Sequence, residues 1–352
     1  MISGSSSQKQ IVTGPRQFIE AVYAFKNPIV ANGFNCEGIL KVAVKADPRI
    51  CAYFDSYSTR SSASSTEYTL RYINTDVNPT FVYLPTDLED MIETLAIVTD
   101  KYLKSAIFVV DERFDTSRLL NLFMERYGIF FANLTSVNSE GSVFLGKKVL
   151  KVILNYRIGR VTLACWERET DAEVERLKRA LFVKGTTPLE KAYIAHNYLV
   201  KTVEYWDKPE KNPVELSIKQ SGYGALIKKL CVCQGFAEAY KRLLDGEEGI
   251  ECHMVSGVSK QHNENHAWNV VSFDGKEFFH VDVTWDSKST GRVSDTYFGL
   301  SDREILKSRT IEAYVKWKCP GINNIRDMVK RQIRQNGRVL INNGLNPKWL
   351  EV

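Results

Sequence analysis

The most regular hydrophobic patterning in this chain lies in its second half. From Gln234 the apolar residues Phe236, Ala237, Tyr240, Leu243 and Leu244 recur at helical spacing, which predicts a helix beginning at or just after Cys233. Two alternating stretches follow, His266 to Phe273 and Glu277 to Thr284, and both read as half-buried strands. Between them lies Phe273-Asp274-Gly275. A three-residue hairpin loop with Gly275 in the left-handed position pairs Ser272 with Lys276, so that 270 faces 278, 268 faces 280 and 266 faces 282. His266 and Asp282 then sit opposite each other on one face, with Cβ atoms roughly 4.5–5.5 Å apart. A strict two-residue Asp274-Gly275 turn shifts the register by one and sends them to opposite faces.

The first half is patterned less regularly. Pro15 to Phe25 reads as a helix, Gly38 to Val44 and Ile50 to Phe54 as strands, and Ser56 to Ser65 as a Ser-rich loop. Thr86 to Ile97 and Thr116 to Tyr127 read as helices around a buried strand, Ala106 to Val110. Val149 to Tyr156 and Arg160 to Cys165 read as strands. Alternating helices and strands predict a separate N-terminal α/β domain over residues 1–165, without internal repeats and without evident chemistry. At the other end Ile325, Met328, Val329 and Ile333 share a helical face, Gly337 ends the helix, and Arg338 to Ile341 reads as a short strand, giving a basic helix-strand extension over 309–352.

The middle segment, 166–308, carries the chemistry. A thiol is mostly protonated at neutral pH and must be activated before it attacks an amide. At a helix N-terminus, unpaired N–H groups and the positive end of the macrodipole favour thiolate over thiol, and the N–H of the cysteine can face a developing oxyanion. Cys233, His266 and Asp282 therefore supply a nucleophile, a base and the carboxylate that orients the base. Tyr223 and Gln234 are candidates for a second oxyanion donor. Trp268 and Trp285 flank the expected cleft, as core aromatics or as a wall for substrate.

The strings CQGFAEAYKRLL, HAWNVV, HVDVTWD and YFGLSDREI, preceded by TPLEKAYIAHNYLVKTVEYW and GYGAL, resemble the bacterial transglutaminase-like domain, part of the papain-related cysteine superfamily. The resemblance covers roughly residues 170 to 308. It implies an α+β papain-like core, with the helix carrying the cysteine packed on an antiparallel sheet carrying the histidine and aspartate. By the same resemblance Cys233 is the nucleophile, His266 the base and Asp282 its orienter, in an enzyme acting on amide bonds of peptides or proteins through a thioester. Hydrolysis is the expected outcome, since no acceptor-lysine site and no acidic run for calcium is evident. Cross-linking of glutamine to amines and an inactive scaffold module are the alternatives. Cys231 departs from the family, which more often has a small residue there, and it raises the prospect of redox modification beside the site.

Three partial motifs fall short. Gly141-Ser-Val-Phe-Leu-Gly146-Lys147-Lys148 fits G-x-x-x-x-G-K, but Lys148 replaces the hydroxyl residue that holds magnesium, and a strand follows in place of a helix. His262 and His266 are four apart, yet Glu264 is one place late for a zinc-protease motif. Cys231, Cys233, Cys252 and His253 close a zinc site only if Cys233 lies in a knuckle. No metal or cofactor is expected. The 352 residues, 44% hydrophobic and 25% charged, suit a globular protein, and a net charge of +5 with dispersed Lys and Arg gives nucleic-acid binding no support. Seven cysteines at irregular spacing point to reduced thiols. With neither a leader pattern nor a membrane span in view, a cytoplasmic protein is the default expectation, although a secreted form with its leader trimmed reads the same. Arg326, Lys330, Arg331 and Arg334 offer a contact for an acidic protein partner.

Overall fold

The computed structural model describes residues 9–33, 38–287, 294–312, 315–321 and 325–342. The chain clusters into two compact units, Met1–Leu119 with Ser136–Asn155, and Leu120–Thr135 with Tyr156–Val352. Residues 120–135 thus join the second unit, and a single cut near residue 165 does not describe the division. Helices and strands mix in both units, in keeping with an α+β class.

The first unit contains β1 (Gln10–Val12), α1 (Pro15–Tyr23), β2 (Ile29–Asn32), α2 (Ile39–Ala46), β3 (Phe54–Ser61), β4 (Ser65–Tyr72), β5 (Val82–Tyr83), α3 (Leu88–Asp100) and β6 (Ser105–Asp111). Two sheets result, β1-β2-β4-β3 and β5-β6-β8-β7, the last two strands being defined below. Three readings of the sequence are corrected here. Gly38 to Val44 is helical, because Ile39, Leu40, Ala43 and Val44 form a buried stripe one helical turn apart that outweighs their β-branched content. Pro48–Ala52 is a 3-10 turn whose entry is capped by Asp47 accepting from the Arg49 N–H at 3.2 Å. The Ser-rich stretch is mostly strand β3, held by antiparallel pairing with β4 rather than by apolar content of its own.

The chain continues through α4 (Leu119–Arg126), α5 (Gly128–Ala132), β7 (Leu134–Phe144) and β8 (Lys147–Tyr156). The partial phosphate-loop motif falls on the β7–β8 turn, where Leu145 and Gly146 both have positive φ, so it is a hairpin and not a strand-to-helix cradle. In the second unit α6 (Arg160–Leu181) replaces the expected strand over 160–165. Leu163, Trp166, Thr170, Val174, Leu177 and Leu181, three or four apart, bury one face of a 22-residue helix. Next come α7 (Pro188–Thr202), β9 (Glu204–Tyr205), α8 (Pro213–Lys219), a π turn over Gly224–Lys228, β10 (Leu230–Cys231) and α9 (Cys233–Leu244). The first of these opens on a capping box, Thr187 with Glu190, and has Pro188 in its first turn.

An antiparallel meander follows: β11 (Glu251–Ser259), β12 (Glu264–Ser272), β13 (Phe278–Val281) and β14 (Phe298–Leu300), with α10 (Val283–Asp286) between the last two strands. Helix α9 packs on β11 and β12, and its buried residues Phe236, Ala239, Tyr240, Leu243 and Leu244 share one core with α7, β13 and β14. After α11 (Asp302–Ile305), α12 (Ile325–Asn342) lays Ile325, Val329 and Ile333 into the same core. It runs through Gly337, correcting the expected stop and strand, since one glycine costs a helix only ~1 kcal/mol. Part of its basic face is already engaged. Lys330 pairs with Asp295 at 2.6 Å, and Arg326 donates to the Thr296 carbonyl. No described helix is long and apolar enough to cross a membrane.

Candidate active site

Helix α9 begins at Cys233, as the apolar spacing predicts. Its N-cap residue, Val232, makes no side-chain cap hydrogen bond to the first-turn N–H groups. Pairing of β12 with β13 joins Ser272 to Phe278, Val271 to Phe279, Val270 to His280 and Asn269 to Val281. The loop is therefore Phe273 to Glu277, two residues longer than expected, with Gly275 at φ +71°. Asp274 organises it by accepting from the N–H groups of Lys276 and Glu277. A shift of two keeps every residue on its original face, so His266 and Asp282 remain on one side but meet diagonally. Asp282 has left the strand and caps α10, its Oδ1 accepting from the Trp285 N–H at 3.2 Å.

Asp282 is fully buried, and its Oδ2 accepts from His266 Nε2 at 2.7 Å. The other ring nitrogen is thereby left for Cys233, whose thiol is hydrogen-bonded to the imidazole, and the Ala267 N–H also points to the sulfur. Burial pushes the thiol upward, but the hydrogen bond and charge of His266 and the N–H of Ala267 bring it below its ordinary value. For His266 burial acts downward, and the charge and hydrogen bond of Asp282 overcome it, pushing the imidazole up to about 9. Burial likewise opposes ionisation of Asp282, yet His266, Arg309 and the Trp285 N–H hold its carboxyl down at about 2. The shifts act in one sense: the thiol is easier to ionise, the imidazole holds its proton more firmly and the carboxyl stays ionised.

The sulfur and His266 open onto a cleft of about 560 Å3 lined also by Tyr205, His262, Glu264 and Trp285. A volume of this size suits an extended side chain or short peptide segment. Trp285 is a wall of the cleft, 6.2 Å from the His266 ring. Trp268 is core: it is 1% exposed, stacks on His266 at 5.8 Å and donates from Nε1 to His280 Nδ1 at 3.0 Å. The two residues weighed as oxyanion donors lie outside the cleft lining. Tyr223 is buried against Trp166, with ring centroids 4.5 Å apart, and its hydroxyl donates to Glu169. Gln234 does not line the cleft, and its Nε2 is buried without an acceptor.

Two neighbours escaped the sequence reading. Tyr205 reaches the cleft because β9 pairs in parallel with β10, setting Tyr205 beside Cys231, two residues before the candidate nucleophile. Burial, then the nearby charges of Cys233 and Glu264, push its phenol up to about 12, so it remains a hydroxyl donor. Arg309 arrives from an irregular segment after α11 and ion-pairs with Asp282 Oδ2. No periodicity announces either residue. Cys231 is fully buried and its thiol is pushed well upward by burial, which removes the reactivity that redox modification requires.

The described residues bring together one trio with metal-ligand chemistry, His280, Asp302 and Cys319. Because Trp268 donates to Nδ1 of His280, the ring proton sits on Nε2, which donates to Asp302 Oδ1 at 2.9 Å. Such a tautomer has no lone pair to offer a cation, so the trio does not fit one. The cysteines and histidine weighed for zinc do not converge, and Cys233 heads a helix.

Residues 175–283 match the Transglutaminase-like superfamily, and every candidate residue except Trp285 lies within that span. The chain carries a transglutaminase-like domain. Among solved structures, one described as "Crystal structure of a TGase" is similar over 77% of this chain and 78% of that one, at 11% identity and a TM-score of 0.28. Likeness at that level carries no argument about activity. No curated protein matches the chain. The superfamily places the domain among cysteine-based acyl-transfer and protease-like enzymes. Arg309 lies 26 residues beyond the matched span of the transglutaminase-like domain.

Proposed function

We propose that this protein hydrolyses amide bonds of peptides or proteins, with Cys233 as nucleophile, His266 as acid and base, and Asp282 as the group that orients His266. The observation that carries the reading is the Cys233 thiol at an uncapped helix start, hydrogen-bonded to an imidazole that a buried carboxylate grips at 2.7 Å, all at the edge of an open cleft.

The thiolate attacks the carbonyl carbon of the substrate, and the carbonyl π pair moves onto oxygen. The N–H of Cys233 and the phenol of Tyr205 are the donors assigned to that oxyanion. The imidazolium gives its proton to the departing amine, the C–N bond breaks, and a thioester remains. His266, now neutral, takes a proton from water, hydroxide adds to the thioester, and the acid leaves as the sulfur is released. Asp282 stabilises the imidazolium at each stage without taking the proton.

Incubating the protein with a glutamine-containing protein and a labelled primary amine, and following ammonia, new carboxylates and label by mass spectrometry, tests this. Hydrolysis predicts an acyl group on Cys233 and new carboxylates. Incorporated amine would replace hydrolysis by cross-linking. No acyl-enzyme with any peptide pool, together with a Cys233 whose reactivity ignores His266, would reduce the domain to a scaffold.

A further inference from the structure

Gly257 of β11 permits a close approach of backbone. A Cβ there would lie 1.9 Å from the Thr310 carbonyl oxygen. The space is taken by the segment 308–312, which adds to the edge of β11. Thr310 N–H donates to the Val258 carbonyl at 2.9 Å, Glu312 N–H to Ser256 at 3.0 Å, and Ser259 and Arg309 form a bridge. Arg309 is thereby driven inward until it is wholly buried.

Its guanidinium carbon lies 4.2 Å from the Trp285 ring centroid, 4.7 Å from Tyr297 and 5.8 Å from Trp268. Nη1 donates to Ser308 Oγ at 2.6 Å, and Nη2 pairs with the same Asp282 oxygen that receives His266. Nε is buried with no acceptor. A site selected for stability alone has little use for this arrangement, because buried ion pairs give no better stability than apolar residues of equal volume, and an orphaned N–H adds a cost. What the arrangement does achieve is a carboxylate fixed from two directions, with its charge divided between an imidazole and a guanidinium.

We propose that Arg309 is a positioning residue of this site: it locks Asp282 in the orientation that receives His266 and withholds part of the carboxylate's charge, setting the pH range over which thiolate and imidazolium coexist. The inference rests on the reading of Cys233, His266 and Asp282 given above. Around His266 the titratable groups are Cys233 from α9, Tyr205 from β9, His262 and Glu264 at the head of β12, Asp282 before α10, and Tyr297, with Arg309 the cation buried among them. Removing the guanidinium makes the local potential more negative. Both protonation equilibria then move upward, the thiol becoming harder to ionise and the imidazolium harder to deprotonate.

The test is the rate of carboxymethylation of Cys233 by iodoacetate against pH, in the full chain, for wild type, Arg309→Met, Arg309→Lys and His266→Ala, with folding checked by circular dichroism. Iodoacetate is an anion, so its rate rises as the thiolate forms and falls as the imidazolium loses its charge. Both limbs should move up by about one pH unit in R309M, the scale of one buried charge at this separation. In R309K, which keeps the charge, they should stay within a few tenths of wild type. A purely structural role lowers the melting temperature in both variants and moves neither limb, and that result overturns the proposal. If R309M does not fold, Arg309→Gln, which fills the same aromatic box without charge, carries the same expectation. Should H266A leave the wild-type profile unchanged, the reading of the site itself fails; limbs that respond to H266A and ignore R309M defeat only the role of Arg309.

Discussion

Replacing Asp282 with Asn tests the electrostatics of the site most directly, since it changes one charge and almost no volume. Two consequences follow from the contacts. Burial lowers His266, and the charge and hydrogen bond of Asp282, joined by those of Cys233, outweigh it and push the ring from 6.5 up to about 9. The difference amounts to ~3 kcal/mol. Because the folded value is raised, this stabilisation is fully present below pH 6.5 and is lost as pH rises through about 9. Without the carboxylate, burial acts on the ring against Cys233 alone, so the alkaline limb of iodoacetate modification should fall well below 9, and modification at pH 8 should drop about tenfold. The second consequence concerns Arg309, left buried with no counter-charge. Breaking a buried pair from one side costs about 3–5 kcal/mol, and at roughly 2–4 °C per kcal/mol the melting temperature should fall by about 10 °C. Iodoacetate kinetics across pH 5–10 and a thermal melt provide both readouts. An alkaline limb that stays near 9 in Asp282→Asn would mean that the carboxylate does not set the state of His266, and the electrostatic account of the site would be wrong.

Other expectations follow from the same contacts. His266→Ala should leave burial to push the Cys233 thiol upward, with little reactivity below about pH 8, and lower amide turnover by roughly 10²–10⁴-fold; an unchanged rate at pH 6 would refute its role as base. Tyr205→Phe should lower kcat by about tenfold to a hundredfold while leaving the pH limbs of Cys233 alkylation in place, because a donor to the oxyanion acts only in the transition state; an effect confined to KM counts against that assignment. Brief alkylation of native protein followed by peptide mapping should label Cys233 and spare Cys231, whose thiol is buried and pushed upward. Labelling of Cys231 at a comparable rate would restore a redox role for it.

What could be read from the residues alone follows the range of the forces involved. A helix that starts at Cys233 is written into five apolar residues at short spacing, and the hairpin into two alternating stretches. Over residues 160–165 Val161 and Leu163 alternate and suggest a strand, whereas the stripe that makes Arg160–Leu181 a helix needs the full 22 residues. Residues 38–44 behave alike, since Ile39, Val42 and Val44 suggest a strand until Leu40 and Ala43 are counted on the same face. Tyr205 and Arg309 depend on pairing with β10 and β11, partners 26 and 50 positions away, for which local pattern holds no information.

The hairpin shows why the candidate site was legible even though its register was not. Side chains alternate across a strand with a period of two, so a loop longer by two residues slides Asp282 along β12 without carrying it through the sheet. His266 then meets an acid one diagonal step away, and the distance is closed by Asp282 turning out of the strand to cap α10. A loop longer by one would have placed the acid on the opposite face and left His266 with no carboxylate. The parity of the loop is thus the quantity on which the site depends, and its length is secondary. The same logic bears on Arg309: Ser259 lies opposite it in the bridge and lines the cleft, so inserting one residue between Ile305 and Arg309 should turn the guanidinium out of the aromatic box and reproduce the R309M profile, whereas inserting two should largely restore wild-type limbs. Equal displacement of the limbs by one and by two inserted residues would show that the segment 308–312 does not act as an edge strand with defined faces.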